Sequence, residues 1–251
     1  MVVNSGEFAD FTLERAMDAE VLDVFSARNG KLVELVRDEN SEFVRRKYLP
    51  EAVHEVEQVG LPFGEAWNVY VQMFDNAGLE IVDCALMEET LDDNPIIVAK
   101  FLGGLGREAS PKSLPSEAKI ELAGNIGRLL TSHPDFMPAS QGLLPDAFAI
   151  DPMTSKAVLV DVDPYLVLFE TSRFGAMRTE AAQGAFMRRS GLNIAAWAVD
   201  DDERTAMASA FCRTAGVVLR DDASLGLFNQ FGYVHFMANG MSPKQLEQMG
   251  Y

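Results

Sequence analysis

Leu143-Leu144-Pro145-Asp146-Ala147-Phe148-Ala149-Ile150-Asp151-Pro152-Met153-Thr154-Ser155-Lys156-Ala157-Val158-Leu159-Val160-Asp161-Val162-Asp163-Pro164 reads as a short strand, a polar turn and a second strand that runs into acids. Ala157 to Val160 is apolar without alternation, the pattern of a strand buried on both faces. A carboxylate directly beyond such a strand is costly to bury unless it is paired or binds a metal. Asp161 and Asp163 lie two residues apart, on one side of an extended chain, and are the candidate ligands of a divalent cation at the strand's end. The plainer reading leaves both acids solvated in a turn ahead of Pro164, and for an isolated D-x-D both readings stand.

Outside this stretch, composition limits the function classes. The chain has 251 residues, long enough for one large domain or two lobes with a sizeable core. Its formal charge of -17 opposes sequence-independent binding to nucleic acid, which depends on Lys and Arg neutralising phosphates. Basic residues gather in two islands, Arg45-Arg46-Lys47 and Arg188-Arg189. Cys84 and Cys212 are far apart among apolar neighbours and read as buried thiols in a reducing compartment. Met1 to Leu13 carries Glu7 and Asp10 rather than an apolar core, and charge breaks every later apolar run before membrane-spanning length. The expectation is a cytoplasmic protein without membrane contact whose partner is another protein.

Local signals arrange the chain into an α+β layout. Thr12 caps a short helix through Glu20. Val21 to Ala27 and Lys31 to Arg37 form a hairpin about Asn29-Gly30, and Glu42 to Leu49 is a third strand. Pro50 opens a helix with Val53, Val56 and Val59 on one face, ended by Gly60. Trp67 to Phe74 and Leu79 to Met87 read as two further strands joined at Asp75-Asn76-Ala77-Gly78, and Pro95 to Leu102 as another apolar segment. The glycine-rich run Gly103-Gly104-Leu105-Gly106 and the stretch after it mark a boundary. Residues 1–102 are then an antiparallel sheet lobe with one helix, 103–116 a linker, and 117–251 a mainly helical lobe. Ser116 caps a helix with Leu122, Ile126, Leu129 and Leu130 inward. Arg178 to Arg189 is weakly helical, and Asp202 to Thr214 is a helix with an acidic start and Gly216 at its end. Ser242-Pro243-Lys244-Gln245 has a capping-box pattern.

Several familiar motifs fail on a residue. His54-Glu55-Val56-Glu57 lacks the second His of a zinc-protease helix, because the position holds Gln58, and the glycine run lacks the Lys-Ser/Thr of a phosphate loop. There is no G-x-S-x-G elbow. His133 and His235 have no ligand-like neighbours, and Met237, Met241 and Met249 read as core filling before a partner surface.

The order of sheet, single helix, glycine-rich boundary, long helix and strand-turn-strand ending on Asp161 resembles the protein-kinase-like fold of the aminoglycoside and choline phosphotransferase type, over roughly residues 20 to 170. Members of that family carry a run like H-G-D-L-H-P-G-N-I-L-V-D, a short turn, and a strand ending in a magnesium-holding acid. Here the letters are Ser140-Gln141-Gly142-Leu143-Leu144-Pro145-Asp146-Ala147-Phe148-Ala149-Ile150-Asp151, then Pro152 to Lys156, then Val158-Leu159-Val160-Asp161. The resemblance implies ATP and magnesium as cofactors, with Asp161, helped by Asp163, as metal ligand. Its base position falls on Gly142 and its Asn position on Ala147, so the catalytic loop is degenerate. A shifted pairing makes Asp146 the base and Asp151 a metal ligand. The phosphate-binding lysine implied on the third strand is Lys47, with Glu57 or Glu55 as ion-pair partner on the next helix, and Arg45 and Arg46 compete with it. The glycine-rich nucleotide loop is missing, since the first hairpin holds only Gly30.

Three functions follow. One is a catalytically degenerate kinase-like protein that binds or regulates a partner, with or without nucleotide. Another is a metal-dependent glycosyltransferase using the D-x-D, for which alternating strands and helices should precede it. The third is a non-enzymatic acidic structural or assembly protein.

Overall fold

A computed structural model describes residues 8, 11–39, 41–87, 94–102, 110–139, 143, 147–169 and 173–215. The chain is α+β: an N-terminal antiparallel sheet of five strands, then a mainly helical region. Helix α1 (Leu13–Asp18) is capped as expected, the Thr12 hydroxyl accepting from the Arg15 N–H at 3.3 Å. Strands β1 (Glu20–Arg28) and β2 (Lys31–Arg37) are antiparallel, turning at Asn29 (φ 54°) and Gly30 (φ 66°), the left-handed pair that matches strand twist. Gly30 is required twice, because a Cβ there would also stand 2.9 Å from the Ala52 backbone nitrogen. β3 (Glu42–Tyr48) follows, and Pro50 opens α2 (Pro50–Glu57).

The next segment departs from the sequence reading. Trp67 to Phe74 is not a strand but part of α3 (Phe63–Ala77). Its Trp, Tyr and Val content and its alternation at Trp67, Val69, Val71 and Met73 suit a strand. Burial instead selects Phe63, Ala66, Trp67, Tyr70, Met73, Phe74 and Ala77, a helical stripe. The expected turn at Asp75–Gly78 is the helix end, with Gly78 (φ 74°) as a left-handed cap. Two helices therefore stand where one was expected. Leu79 to Met87 is also divided, into β4 (Glu80–Ile81) and β5 (Cys84–Met87). With β6 (Ile96–Lys100) the sheet order is β1-β2-β3-β6-β5. One sheet face packs Val36, Phe43, Met87 and Val98 against Phe8, Phe11, Ala16 and Ala19 from the α1 side; the other joins the main core.

The expected boundary lies in part outside the described residues, which begin again at Ser110. Ser116 starts α4 (Ser116–Arg128) but does not cap it: Pro115 is the cap, and the Ser116 hydroxyl hydrogen-bonds Glu203 instead. A two-stranded pairing of β7 (Phe136–Pro138) with β10 (Leu166–Leu168) flanks the hairpin of β8 (Phe148–Ile150) and β9 (Ala157–Leu159). β9 also pairs in parallel with β4, so the stretch quoted first is anchored to the segment after α3. α5 (Arg173–Trp197) is longer than the expected Arg178–Arg189, and α6 (Asp201–Thr214) begins one residue early, capped by Asp200. Gly216 and the tail from Ser242 lie outside the described residues. No helix among the described residues is long and apolar enough to cross a membrane. Cys84 and Cys212 are buried and unbridged; burial pushes the Cys212 thiol up to about 11, so it stays protonated.

One apolar core runs from Tyr48 to Ala215. Two features lock α4 to α6 within it. Lys119, buried, donates from Nζ to Glu203 Oε2 at 2.7 Å and to the Trp197 carbonyl at 3.3 Å, while Glu203 Oε2 accepts from the Val199 N–H. About two turns further along, the helices approach closely at Gly127, where a Cβ would overlap the Phe211 carbonyl oxygen and the Thr214 hydroxyl. Gly124, one turn earlier, leaves 3.8 Å to Ala210 and Thr214.

Two outcomes follow for stability. Gly127→Ala should destabilise by about 1–3 kcal/mol through overpacking, whereas Gly124→Ala should be near neutral, measured by denaturant unfolding. Burial of Glu203 works against its charge, but the hydrogen bonds from Lys119, Val199 and Ser116 outweigh it and lower its pKa below the ordinary 4.5. A lowered folded pKa contributes stability present above the unfolded value and lost as pH falls through the folded one. Wild type should therefore lose stability on acidification below pH 4.5, and Glu203→Gln should flatten that part of the profile.

Candidate functional site

β3 sorts its three basic residues by alternation. Arg45 and Lys47 point to the α1 side of the sheet, where both face Glu34. Arg45 Nε donates to Glu34 Oε2 at 2.8 Å and its Nη1 to the Ala16 carbonyl at 2.6 Å; Lys47 Nζ stands 3.6 Å from Glu34 Oε2. Arg46, between them, points to the other face and reaches the end of β9. Its Nη2 donates to the Val160 carbonyl at 2.7 Å and lies 3.5 Å from Asp161 Oδ1. The third-strand cation that meets Asp161 is therefore Arg46, not Lys47. Glu57 does not pair with Lys47 either, since its Oε1 accepts from the Phe63 N–H at 3.1 Å and joins α2 to α3. Glu55 is exposed.

Asp163 is buried and its carboxylate is fully engaged. Oδ1 accepts from the Tyr48 hydroxyl at 2.7 Å, and Oδ2 takes the Lys31 ammonium, which also lies 5.9 Å from the centre of the Tyr165 ring. Lys31 and Tyr48 are directly opposite in the β2–β3 register, so a single cross-strand pair supplies both partners. Tyr70 of α3 completes the surroundings, its phenol having a backbone hydrogen bond with Asp163.

The electrostatics follow from burial. Burial first, and the Asp163 charge second, hold the Tyr48 phenol well above its ordinary range; Tyr70 is raised by burial, Asp163 and Asp161, and Tyr165 by burial and Asp163. All three stay protonated and serve as neutral hydroxyls. Burial works against the Arg46 charge, but Asp161 and then Asp163 outweigh it and raise its pKa. Lys31 and Arg46 thus balance Asp163 and Asp161 in one cluster. Arg46 keeps two buried donors, Nε and Nη1, without a hydrogen-bond partner.

This donor set does not fit magnesium. That ion takes about six oxygen ligands in a near-octahedral shell. Both Asp163 oxygens are already held by Lys31 and Tyr48, and Asp161 faces a guanidinium. Among the described residues no group of three or more His, Cys, Asp or Glu could hold a metal ion. Asp151, the metal ligand of the shifted pairing, shapes the β8–β9 turn: its Oδ1 accepts from the Met153 N–H at 2.7 Å and its carbonyl from the Ser155 N–H at 2.7 Å. Asp146 and Gly142 lie outside the described residues; Ala147 is buried.

Lys31, Tyr48 and Tyr70 were not legible as site residues. The signal for the first two is the hairpin register: counting from the Asn29-Gly30 turn through β2 to β3 places Lys31 opposite Tyr48, on the face of Arg46. Tyr70 required recognising α3 as a helix.

Tyr48→Phe removes one of the two partners of a buried carboxylate and should cost about 1–3 kcal/mol in denaturant unfolding. Lys47→Met, on the opposite face and half-exposed, should change stability by less than about 0.5 kcal/mol. Set against protein-family models and curated proteins, the chain matches none of them.

Proposed function

We propose that the chain is a catalytically degenerate kinase-like protein, of the aminoglycoside and choline phosphotransferase type, acting as a binding or regulatory module for another protein. The layout supports this reading: an antiparallel sheet, helices inserted after its third strand, a helical region, and a strand-turn-strand whose terminal acid faces a third-strand cation. The observation that carries it is the neutralisation of both acids of the D-x-D by the chain's own Arg46, Lys31 and Tyr48. In phosphoryl transfer such acids hold metal and phosphates, and catalysis rests on positioning and charge stabilisation. Here they hold the sheet to the end of β9. Gly142 and Ala147 bring no side chain able to act as base or metal ligand. A glycosyltransferase reading of the D-x-D draws less support, because the five-stranded sheet preceding it is antiparallel throughout.

The expected outcome is no magnesium-dependent ATP turnover or autophosphorylation, and a melting temperature with ATP that is the same in magnesium as in EDTA. Robust turnover in the wild type that disappears in Asp161→Ala or Asp146→Asn would overturn the reading and establish an enzyme.

A further inference from the structure

Among the described residues β1 is the outermost strand of the sheet, nine residues long and paired only with β2. Every residue from Glu20 to Phe25 is exposed, so both faces of the strand are open. Met17, Val21, Leu22, Val24 and Phe25, each 36% to 50% exposed, are five of the nine large hydrophobic side chains most exposed among the described residues. A strand of this length with apolar side chains on an unpaired edge is a template for a further strand. The edge is blunted in two ways. Irregular register at Val21/Asp23 and Val24/Ser26 interrupts the ladder to β2, and the Val24 N–H is taken at 2.8 Å by the carboxylate of its own neighbour Asp23.

We propose that β1 is a docking edge for an extended, basic segment of another protein, which adds as a sixth strand beside Glu20–Arg28. Charge selects the partner. Around β1, Arg15 is paired with Asp38 and Arg37 with Glu42; Glu20, opposite Arg37 in the β1–β2 register, shares that one guanidinium with Glu42, and Asp18 and Glu39 have no ion-pair partner among the described residues. They rim an open depression between α1 and the start of β1. A second copy of the chain would bring the same acids against one another, with a formal charge of -17 on each side. A lysine- or arginine-bearing strand would meet Glu20 and Glu39 instead. It would also draw the Asp23 carboxylate off the Val24 N–H, exchanging that local bond for an interstrand one while Asp23 pairs with the incoming cation. The apolar side chains of such a segment would cover Val21 and Val24.

The test uses the full chain and two fluorescein-labelled nine-residue peptides, one of alternating lysine and valine and one of alternating glutamate and valine, with anisotropy and hydrogen exchange as readouts. The lysine peptide should bind at least about tenfold more tightly than the glutamate peptide, weaken with added salt, and slow amide exchange within residues 20–28. Glu20→Lys with Asp23→Lys should invert the preference, and Val24→Pro should weaken the lysine peptide by about tenfold, since its ring blocks the edge and removes the donor. If Val24→Pro unfolds, the charge-reversed variant alone decides. Equal binding of the two peptides, no binding at millimolar peptide, or protection only outside residues 20–28 would overturn the proposal. So would concentration-dependent dimerisation that Glu20→Lys with Asp23→Lys abolishes, which would place a second copy on the edge.

Discussion

A carboxylate buried at the end of an apolar strand constrains everything packed around it. Asp163 must be compensated, and the compensation comes from the sheet: Lys31 and Tyr48 reach it from adjacent strands, while Arg46 of the same face takes Asp161 and the Val160 carbonyl. Removing one partner of such a cluster leaves a charge or a donor stranded in a medium of low dielectric. The β1–β2 hairpin, β3 and the segment after β9 therefore hold one another in place. The left-handed turn at Asn29-Gly30 serves the same end, because it sets the register that carries Lys31 opposite Tyr48, and Gly30 lets the hairpin tip approach α2.

A second buried ion pair does the corresponding work among the helices. Lys119 of α4 and Glu203 of α6 are each satisfied by backbone groups as well as by each other, which such a pair needs to offset its desolvation. The pair and the close approach at Gly127 lie about two turns apart along the same two helices, so α4 and α6 are held at two separate points. Both clusters border the same apolar core, and a change at either should be felt as loss of global stability rather than as local loosening.

This economy bears on function. Internal cations at both acids of the D-x-D leave a site built for holding segments together, and among the described residues the exposed apolar side chains gather instead along a sheet edge that is also acidic. Acids that act as struts between sheet and β9, together with an exposed strand edge, fit the proposed role of binding a partner of opposite charge better than one of catalysis.

The sequence by itself determined the elements whose signals are local. The hairpin is legible in Asn29-Gly30, the start of α2 in Pro50, the cap of α1 in Thr12, and the β8–β9 hairpin in its unbroken apolar run, because each depends on backbone preferences of a few adjacent residues. It also marked Asp161 and Asp163 as acids in need of partners. Only the tertiary structure decided that Trp67 to Phe74 is helical, since a segment rich in aromatic and β-branched residues satisfies both periods until the face it buries is known. Only the tertiary structure chose Arg46 over Lys47. The three basic residues of β3 are equivalent as letters, and alternation alone separates them into two sets; which set faces the acids depends on the side of the sheet on which β9 packs, a relation between residues more than 100 positions apart.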